Sequence, residues 1–325
     1  MSLIKRIQNF SFQNNLWQKG SKIVIGVSGG PDSVCLLDIF LKLQKKYALE
    51  ILIANVNYGL RGKDSEKDEQ FVRKLAENYG IKIEVLKFSK AKLWKNLQLS
   101  FSKLPSENEL RDIRYAFFEK VRQENKFDLI AVAHNRDDQA ETVLLHLIRG
   151  AGLRGLAGIQ PRRNHLIRPL LNTSRQEILQ HLALARQPFR TDKTNLKSAY
   201  LRNKIRNKLI PSLEKDFNPS IKEVLADTAT TLGRDELFLQ IQAEKRYRQG
   251  YFSSARRLLS LDPALQARVV RLAIQQTTGS QENISFSQSH EIIRALQSTK
   301  SKHQTIKFRG LKFVRKGDTV TLLSI

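Results

Sequence analysis

Residues 22–33 read KIVIGVSGGPDS, and the fold is decided there. Lys22–Val27 is a short β-branched apolar run, the mark of a strand buried on both faces. Gly29 and Gly30 follow, then an amphipathic segment from Asp32 to Lys46 that reads as a helix. Adjacent glycines allow positive φ, which turns successive backbone N–H groups inward into an anion-binding nest. The helix start behind them adds partial positive charge, and Ser28 and Ser33 add hydroxyl donors. Ser28-Gly29-Gly30-Pro31-Asp32-Ser33 therefore reads as a phosphate site. It is not GxxxxGK[ST], since no lysine follows the glycines, and its spacing is not GxGxxG.

The alternation of strand and helix continues outward. Glu50–Val56 reads as a second buried strand, Asp64–Tyr79 as a helix ended by Gly80, and Lys82–Lys87 as a third strand. Ser106 and Glu109 form a capping box that opens a helix to about Glu124. Asp128–Ala133 is a fourth strand and Asp137–Leu147 the helix after it. The pattern predicts an α/β fold with a parallel sheet covered on both faces, whose ligand sits beyond the carboxyl ends of the strands where strand order reverses.

After the glycine-rich joint at 149–158 come a basic segment, Arg162-Arg163-Asn164-His165, and a strand end, Ile167–Leu170. Helical spacing runs from Ser220 to about Gln276, and the tail from Thr305 alternates, with Gly317-Asp318 as a turn. The expectation is a parallel-sheet nucleotide-binding domain over 1–215. A mainly helical second domain over 216–325, ending in a short β-hairpin, completes it.

The chain has 325 residues, with 56 Lys+Arg against 31 Asp+Glu, a formal net charge of +25. Residues 1–150 carry +7 and residues 151–325 carry +18, so the second half holds most of the attraction for a polyanion such as nucleic acid. No apolar run approaches the ~18–20 residues of a membrane span, so no membrane partner is expected. Met1–Arg6 lacks the apolar block of a secretory signal. Cys35 is the single cysteine and can form neither an internal disulfide nor a CxxC site. A reducing, cytoplasm-like compartment follows. No Cys/His/Asp cluster has zinc spacing.

Candidate site residues stand at the same strand ends. Asp137 and Asp138 open the helix after the fourth strand. One can cap that helix; a second, beside phosphates, requires Mg²⁺ or a substrate ammonium. Two ordinary first-turn acids are the alternative. Glu141 is one turn on from Asp137. Asp32 is placed to approach the metal, an ordinary first-turn helix acid being the alternative, and His134, at the strand end, is structural or lines the nucleotide. Arg202 and Arg206 are four apart and share a helix face if that segment is helical. Their guanidinium forks can hold phosphate or stabilise a developing oxyanion, or form a solvated basic face.

The hexamer SGGPDS at 28–33 resembles the SGGxDS signature of the N-type ATP pyrophosphatases, the PP-loop family. The resemblance implies that ATP is split to AMP and pyrophosphate, adenylating an oxygen that an incoming nitrogen or sulfur then displaces. The lone Cys35 speaks against the tRNA thiolases of that family, which depend on paired cysteines. The amidating and metabolite-ligating branches have no need of the +18 half. The lysidine-forming tRNA ligases remain, and further segments resemble them: Asn55–Gly62, Ala133–Thr142, Leu153–Ile159, Ile167–Leu171, Asp192–Asn195 and Tyr200–Arg206. The likeness runs from 20 to 215 nearly without a break, departing at Asn55, Tyr58 and Asn135, where that branch often has histidine.

The resemblance implies that the wobble cytidine of the CAU anticodon of tRNA(Ile) is adenylated at O2. The ε-amine of L-lysine then attacks C2, giving lysidine, AMP and pyrophosphate and changing codon reading from AUG to AUA. It assigns Asp137, Arg202, Asp32, Glu141 and Arg206 to catalysis, and Ser28, Gly29, Gly30, Pro31, Asp32, Ser33, Asn57 and His134 to ATP. Arg111, Arg114, Arg202 and Arg206 fall to RNA, and Asp32 and Asp138 to Mg²⁺. Arg111, Arg114 and Tyr115 resemble a family helix that faces RNA or nucleotide; packing through Tyr115, Phe117 and Phe118 is the equal alternative. A PP-loop ligase acting on a small metabolite, and a tRNA-binding protein with a decayed nucleotide fold, are the rival readings. Oligomeric state is left open, a homodimer being compatible.

Overall fold

The computed structural model describes residues 1–88, 106–191, 201–279, 286–298, 303–308 and 310–325. These form two compact units, Met1–Thr230 and Thr231–Ile325.

The first unit is built on a six-stranded sheet of order β3-β2-β1-β4-β6-β5. Its strands are β1 (Lys22–Gly26), β2 (Glu50–Asn57), β3 (Ile83–Lys87), β4 (Leu129–Ala131), β5 (Arg162–Arg163) and β6 (Leu166–Ile167). All neighbours are parallel except β5 and β6, which turn back on each other through Asn164 at φ +54°. That antiparallel edge is new to the sequence reading, because two residues of Arg162-Arg163 give no strand signal.

Alternation explains why both faces are covered. Ile23, Ile25, Ile51 and Ile53 enter one core with Leu36, Phe40 and Ile178, while Val24, Leu52 and Ala54 enter the other with Phe118, Val121 and Ile130. Helices α1 (Leu3–Gln13), α2 (Pro31–Tyr47), α3 (Lys63–Asn78) and α4 (Glu107–Glu124) belong to this unit. So do α5 (Arg136–Ile148), α6 (Leu153–Leu156), α7 (Arg175–Leu184), α8 (Leu201–Lys204) and α9 (Ile210–Asp216). The Ser106–Glu109 capping box forms as the spacing predicts. β1 has β2 on one side and β4 on the other, so strand order reverses between β1 and β4. Their carboxyl ends open at that switch point, where a parallel sheet holds its ligand.

Helix α10 (Ile221–Arg248) runs through the division between units. The second unit continues with α11 (Ala255–Leu259), α12 (Pro263–Thr278) and α13 (Phe286–Gln297) around Leu258, Val269, Ile292, Leu296 and Phe313. Its tail is a three-stranded antiparallel sheet, β7 (His303–Phe308), β8 (Leu311–Lys316) and β9 (Thr319–Ser324), where the sequence suggested a single hairpin. Gly310, at φ +74°, turns the chain inside what reads as one continuous strand run. Arg315 takes an inward position on β8 and caps α13, donating through Nη1 to the carbonyls of Ala295, Leu296 and Ser298 at 3.0, 2.8 and 3.2 Å.

Candidate active site

The phosphate loop leaves β1 and enters α2 through Pro31, whose missing N–H costs nothing at the first helical turn. Gly29 alone has positive φ, +87°, while Gly30 is extended at φ −71°. The positive φ of Gly29 strains any other residue, and a Cβ there would also sit tightly against Phe71 at 3.3 Å, beside Val72 at 3.4 Å. Ser33 Oγ accepts from Ser28 N–H at 3.1 Å and donates to the Gly30 carbonyl at 2.9 Å. Its proton is thus used to close the loop, and the hydroxyl of exposed Ser28 joins the same turn, 3.2 Å from Ser33 Oγ and accepting from Gly30 N–H at 3.4 Å.

A cavity of about 230 Å³ opens between the ends of β1 and β4. Ser28, Gly30, Asp32 and Ser33 form one wall; Tyr58, Arg114, Tyr115, Phe118 and His134 form the others. Burial, aided by Arg168 and Arg111, holds the His134 imidazole well below its usual pKa, so the ring is neutral. Its Nδ1 is buried without a hydrogen-bond partner. Arg111 and Arg114 both flank the Tyr115 ring, at 5.3 and 5.7 Å from its centroid, and only Arg114 lines the cavity. The helix packs through Phe118, with Phe117 and Tyr115 against the same core, and Arg114 and Tyr115 also line the cavity.

Asn57 is not brought to the cavity. Val56 and Tyr58 face it, so the alternation of β2 turns Asn57 the other way, where it donates to Glu69 at 2.8 Å and accepts from Gly59 N–H at 2.9 Å. The three departures from histidine have jobs of their own. Asn55 donates to the Val27 carbonyl at 2.8 Å, Tyr58 donates to the Leu110 carbonyl at 2.7 Å, and Asn135 caps α5.

At the start of α5 the acids divide differently from their sequence spacing. Asp138, not Asp137, completes the capping box, its Oδ2 accepting from Asn135 N–H at 3.1 Å. Its Oδ1 faces Arg206 Nη2 at 3.3 Å and Arg202 Nη2 at 3.7 Å. Glu141, 2% exposed, accepts from Arg202 Nε at 3.0 Å and from Arg206 Nε and Nη2 at 2.5 and 2.9 Å. Two carboxylates and two guanidiniums so form one cluster. Burial, with the Glu141 charge next to it, pushes the Asp138 carboxyl up to about 6. Asp137 lies apart, accepting from Arg175 N–H at 3.0 Å and pairing with Lys222 at 3.1 Å. The first-turn position alone could not tell which acid faces the arginines; the capping geometry does.

Arg202 and Arg206 reach Glu141 from α8 and the π-helical turn Ile205–Leu209 that follows it. Such turns widen a helix by one residue and favour functional positions. Asp192–Asn195 and Tyr200, singled out by the sequence, lie outside the described residues. Gln139, which the sequence reading did not single out, binds both backbone groups of Ile159, at 2.7 and 3.1 Å. Gly158, at φ +61°, has no room for a Cβ against that amide, so the glycine-rich joint is fastened to α5.

Asp32 sits in the loop with Oδ2 at 2.6 Å from Arg175 Nη1 and Oδ1 buried without a partner. Burial raises its carboxyl, against the pull of Arg175. Mg²⁺ is held through one or two carboxylates plus substrate phosphates. The unpartnered Oδ1 of Asp32 fits that demand better than Asp138, whose Oδ2 caps α5 and whose Oδ1 is shared with two guanidiniums. No group of three or more His, Cys, Asp or Glu among the described residues could hold a metal by itself.

Residues 2–213 match the PP-loop domain family and residues 254–320 the TilS substrate binding domain family. The tRNA(Ile)-lysidine synthase of Clostridioides difficile is 34% identical over 95% of this chain and 68% of its own. The chain belongs to the PP-loop family, in its tRNA(Ile)-lysidine synthase branch. Another synthase of the branch, from Clostridium tetani, is 34% identical over 94% of this chain and 66% of its own, and that of Bacteroides thetaiotaomicron 39% over 70% and 51%. The chain thus spans about two thirds of the length of the clostridial members of this branch. The fold is shared with the U34-tRNA thiolase NcsA of Methanococcus maripaludis, at TM-score 0.57, 21% identity, and 71% and 78% coverage.

Proposed function

We propose that the chain is an ATP-dependent ligase joining L-lysine to C2 of the wobble cytidine in the CAU anticodon of tRNA(Ile), giving lysidine, AMP and pyrophosphate. One observation carries the reading: the phosphate loop, the aromatic-walled cavity and the Asp138–Glu141–Arg202–Arg206 cluster are all set around the starts of α2 and α5, at one end of the sheet.

Pyrophosphate of ATP lies in the Ser28–Ser33 loop and adenosine in the cavity against Tyr58, Phe118 and neutral His134. Asp32 would hold Mg²⁺ together with phosphate oxygens; bound there, the ion neutralises charge on the leaving pyrophosphate. The cytidine O2 attacks the α-phosphorus, forming an O-adenylate. Arg202 and Arg206 stabilise charge around that oxygen. The lysine ε-amine then attacks C2 and expels AMP. Asp138, whose Oδ1 contacts to Arg206 and Arg202 are the longer ones at 3.3 and 3.7 Å, receives the substrate ammonium. A carboxyl near 6 suits it to take the ammonium's proton close to working pH, while buried Glu141 holds the two arginines. The wobble base must leave the anticodon stack to arrive there.

Residues 1–215 act as the catalytic domain and 216–325 as the tRNA-binding domain, Arg111 and Arg114 meeting the RNA beside the cavity. The reaction runs in the cytoplasm of a bacterium or the stroma of a plastid. No helix among the described residues is long and apolar enough to cross a membrane. A persulfide route is disfavoured, since burial pushes the Cys35 thiol up to about 12 and a thiolate is the nucleophile in that chemistry. The test is AMP release from ATP by the purified chain. Release should require tRNA(Ile) and lysine together; release driven by a small metabolite without RNA would overturn the assignment.

A further inference from the structure

The Ser28–Ser33 loop has no lysine, and it carries an acid, Asp32, in the first turn of α2. Backbone N–H groups and a helix start supply only partial positive charge. Pyrophosphate seated there faces the Asp32 carboxylate, and like charges so close repel. A full positive charge stands at that carboxylate. Arg175 Nη1 lies 2.6 Å from Asp32 Oδ2, with side-chain exposures of 45% and 24%.

Arg175 is the first residue of α7, and its backbone is fixed. Its N–H donates to Asp137 Oδ1 at 3.0 Å, and the Ser174–Glu177 capping box closes the turn around it. The long side chain can therefore change partner while its Cα stays in place. Arg202 and Arg206 cannot do this as easily, because both are tied to the buried Glu141. We infer that Arg175 is a pyrophosphate-binding residue, its guanidinium exchanging the Asp32 carboxylate for phosphate oxygens of the ligand in the loop. This rests on the reading of that loop as the pyrophosphate site. A planar fork matches phosphate geometry, and the exchange leaves both Asp32 oxygens to the divalent cation that accompanies the phosphates.

Calorimetric binding of Mg²⁺–pyrophosphate and, separately, of AMP to the full chain tests the inference. Arg175→Ala should weaken pyrophosphate about tenfold to a hundredfold, the worth of a charge-assisted hydrogen bond, with AMP affinity within about twofold. Arg175→Lys should recover part of the loss. Should the alanine variant melt early, Arg175→Gln keeps a donor without the charge and should show the same selective loss. Unchanged pyrophosphate binding, or equal losses for pyrophosphate and AMP, would overturn the assignment; the second result would mean that Arg175 only supports the fold around the site. Lysine transfer is not read in this experiment. A failed ligase assay with selective pyrophosphate loss would therefore sink the proposed reaction and leave Arg175 standing.

Discussion

Glu141→Gln removes the charge on which two guanidiniums converge. In the folded chain Glu141 accepts three charge-assisted hydrogen bonds, one from Arg202 and two from Arg206, with 2% of its side chain exposed. Removing one partner of a buried pair costs ~3–5 kcal/mol. Two features reduce that here. Arg206 is 38% exposed and rehydrates, and Asp138 Oδ1, at 3.3 and 3.7 Å, keeps part of the attraction. The glutamine also retains one acceptor. The net loss should be about 2–3 kcal/mol in the first unit. Urea unfolding followed through Trp17, which packs edge-on against Phe40 at 5.1 Å, reports on that unit. A cycle with Arg206→Gln should show coupling of about 1–2 kcal/mol. A loss under about 0.5 kcal/mol, the range of an ordinary surface change, would refute the view that this cluster is built around a buried charge.

The pH dependence should follow Asp138. Its carboxyl is raised to about 6, above the unfolded value, so its ionisation between about pH 4 and 6 opposes folding, and stability should fall across that window; in Asp138→Asn the fall should be smaller. Lysine transfer should rise through an acid limb near pH 6, and the limb should vanish from the residual activity of Asp138→Asn. Gly29→Ala should cost about 1–2 kcal/mol from its left-handed φ and crowding by Phe71, and should weaken nucleotide binding more than Gly62→Ala, where φ is also positive but nothing stands within 4 Å. Calorimetric ATP titration of the two variants checks this. Affinity for tRNA should fall with salt at a log–log slope of several units, each phosphate contact adding ~0.7–0.9; a slope near one would contradict a polyanion surface.

Much of this was legible because local rules and the global fold agree. The apolar runs at 22–27 and 50–56, each followed by turn residues and a helix, gave the parallel sheet, and SGGPDS gave its switch-point loop. Ser106 and Glu109 announced their helix correctly. What the sequence could not decide was orientation within a short motif. Asp137 and Asp138 are adjacent first-turn acids, and only the Asn135 cap settles that Asp138 faces Arg206. Asn57 sits one residue from two cavity positions, yet alternation turns it toward Glu69. The partners Asp32–Arg175 and Glu141–Arg206 are 143 and 65 residues apart, beyond the reach of any local pattern. In the tail, Gly310 splits a run that reads as one strand.

The central claim is tested most directly by supplying purified chain with ATP, labelled lysine and two tRNA(Ile) transcripts, one with cytidine and one with uridine at the wobble position. Phosphate contacts are the same in both, so binding should agree within a few-fold. The uridine lacks the exocyclic amine that a cytidine pocket hydrogen-bonds, at a cost of ~1–3 kcal/mol. Its N3 also carries a proton, which weakens the likeness of the adenylated ring to a cytidinium. Label should enter the cytidine transcript alone; equal labelling of both, or of neither, would contradict the account.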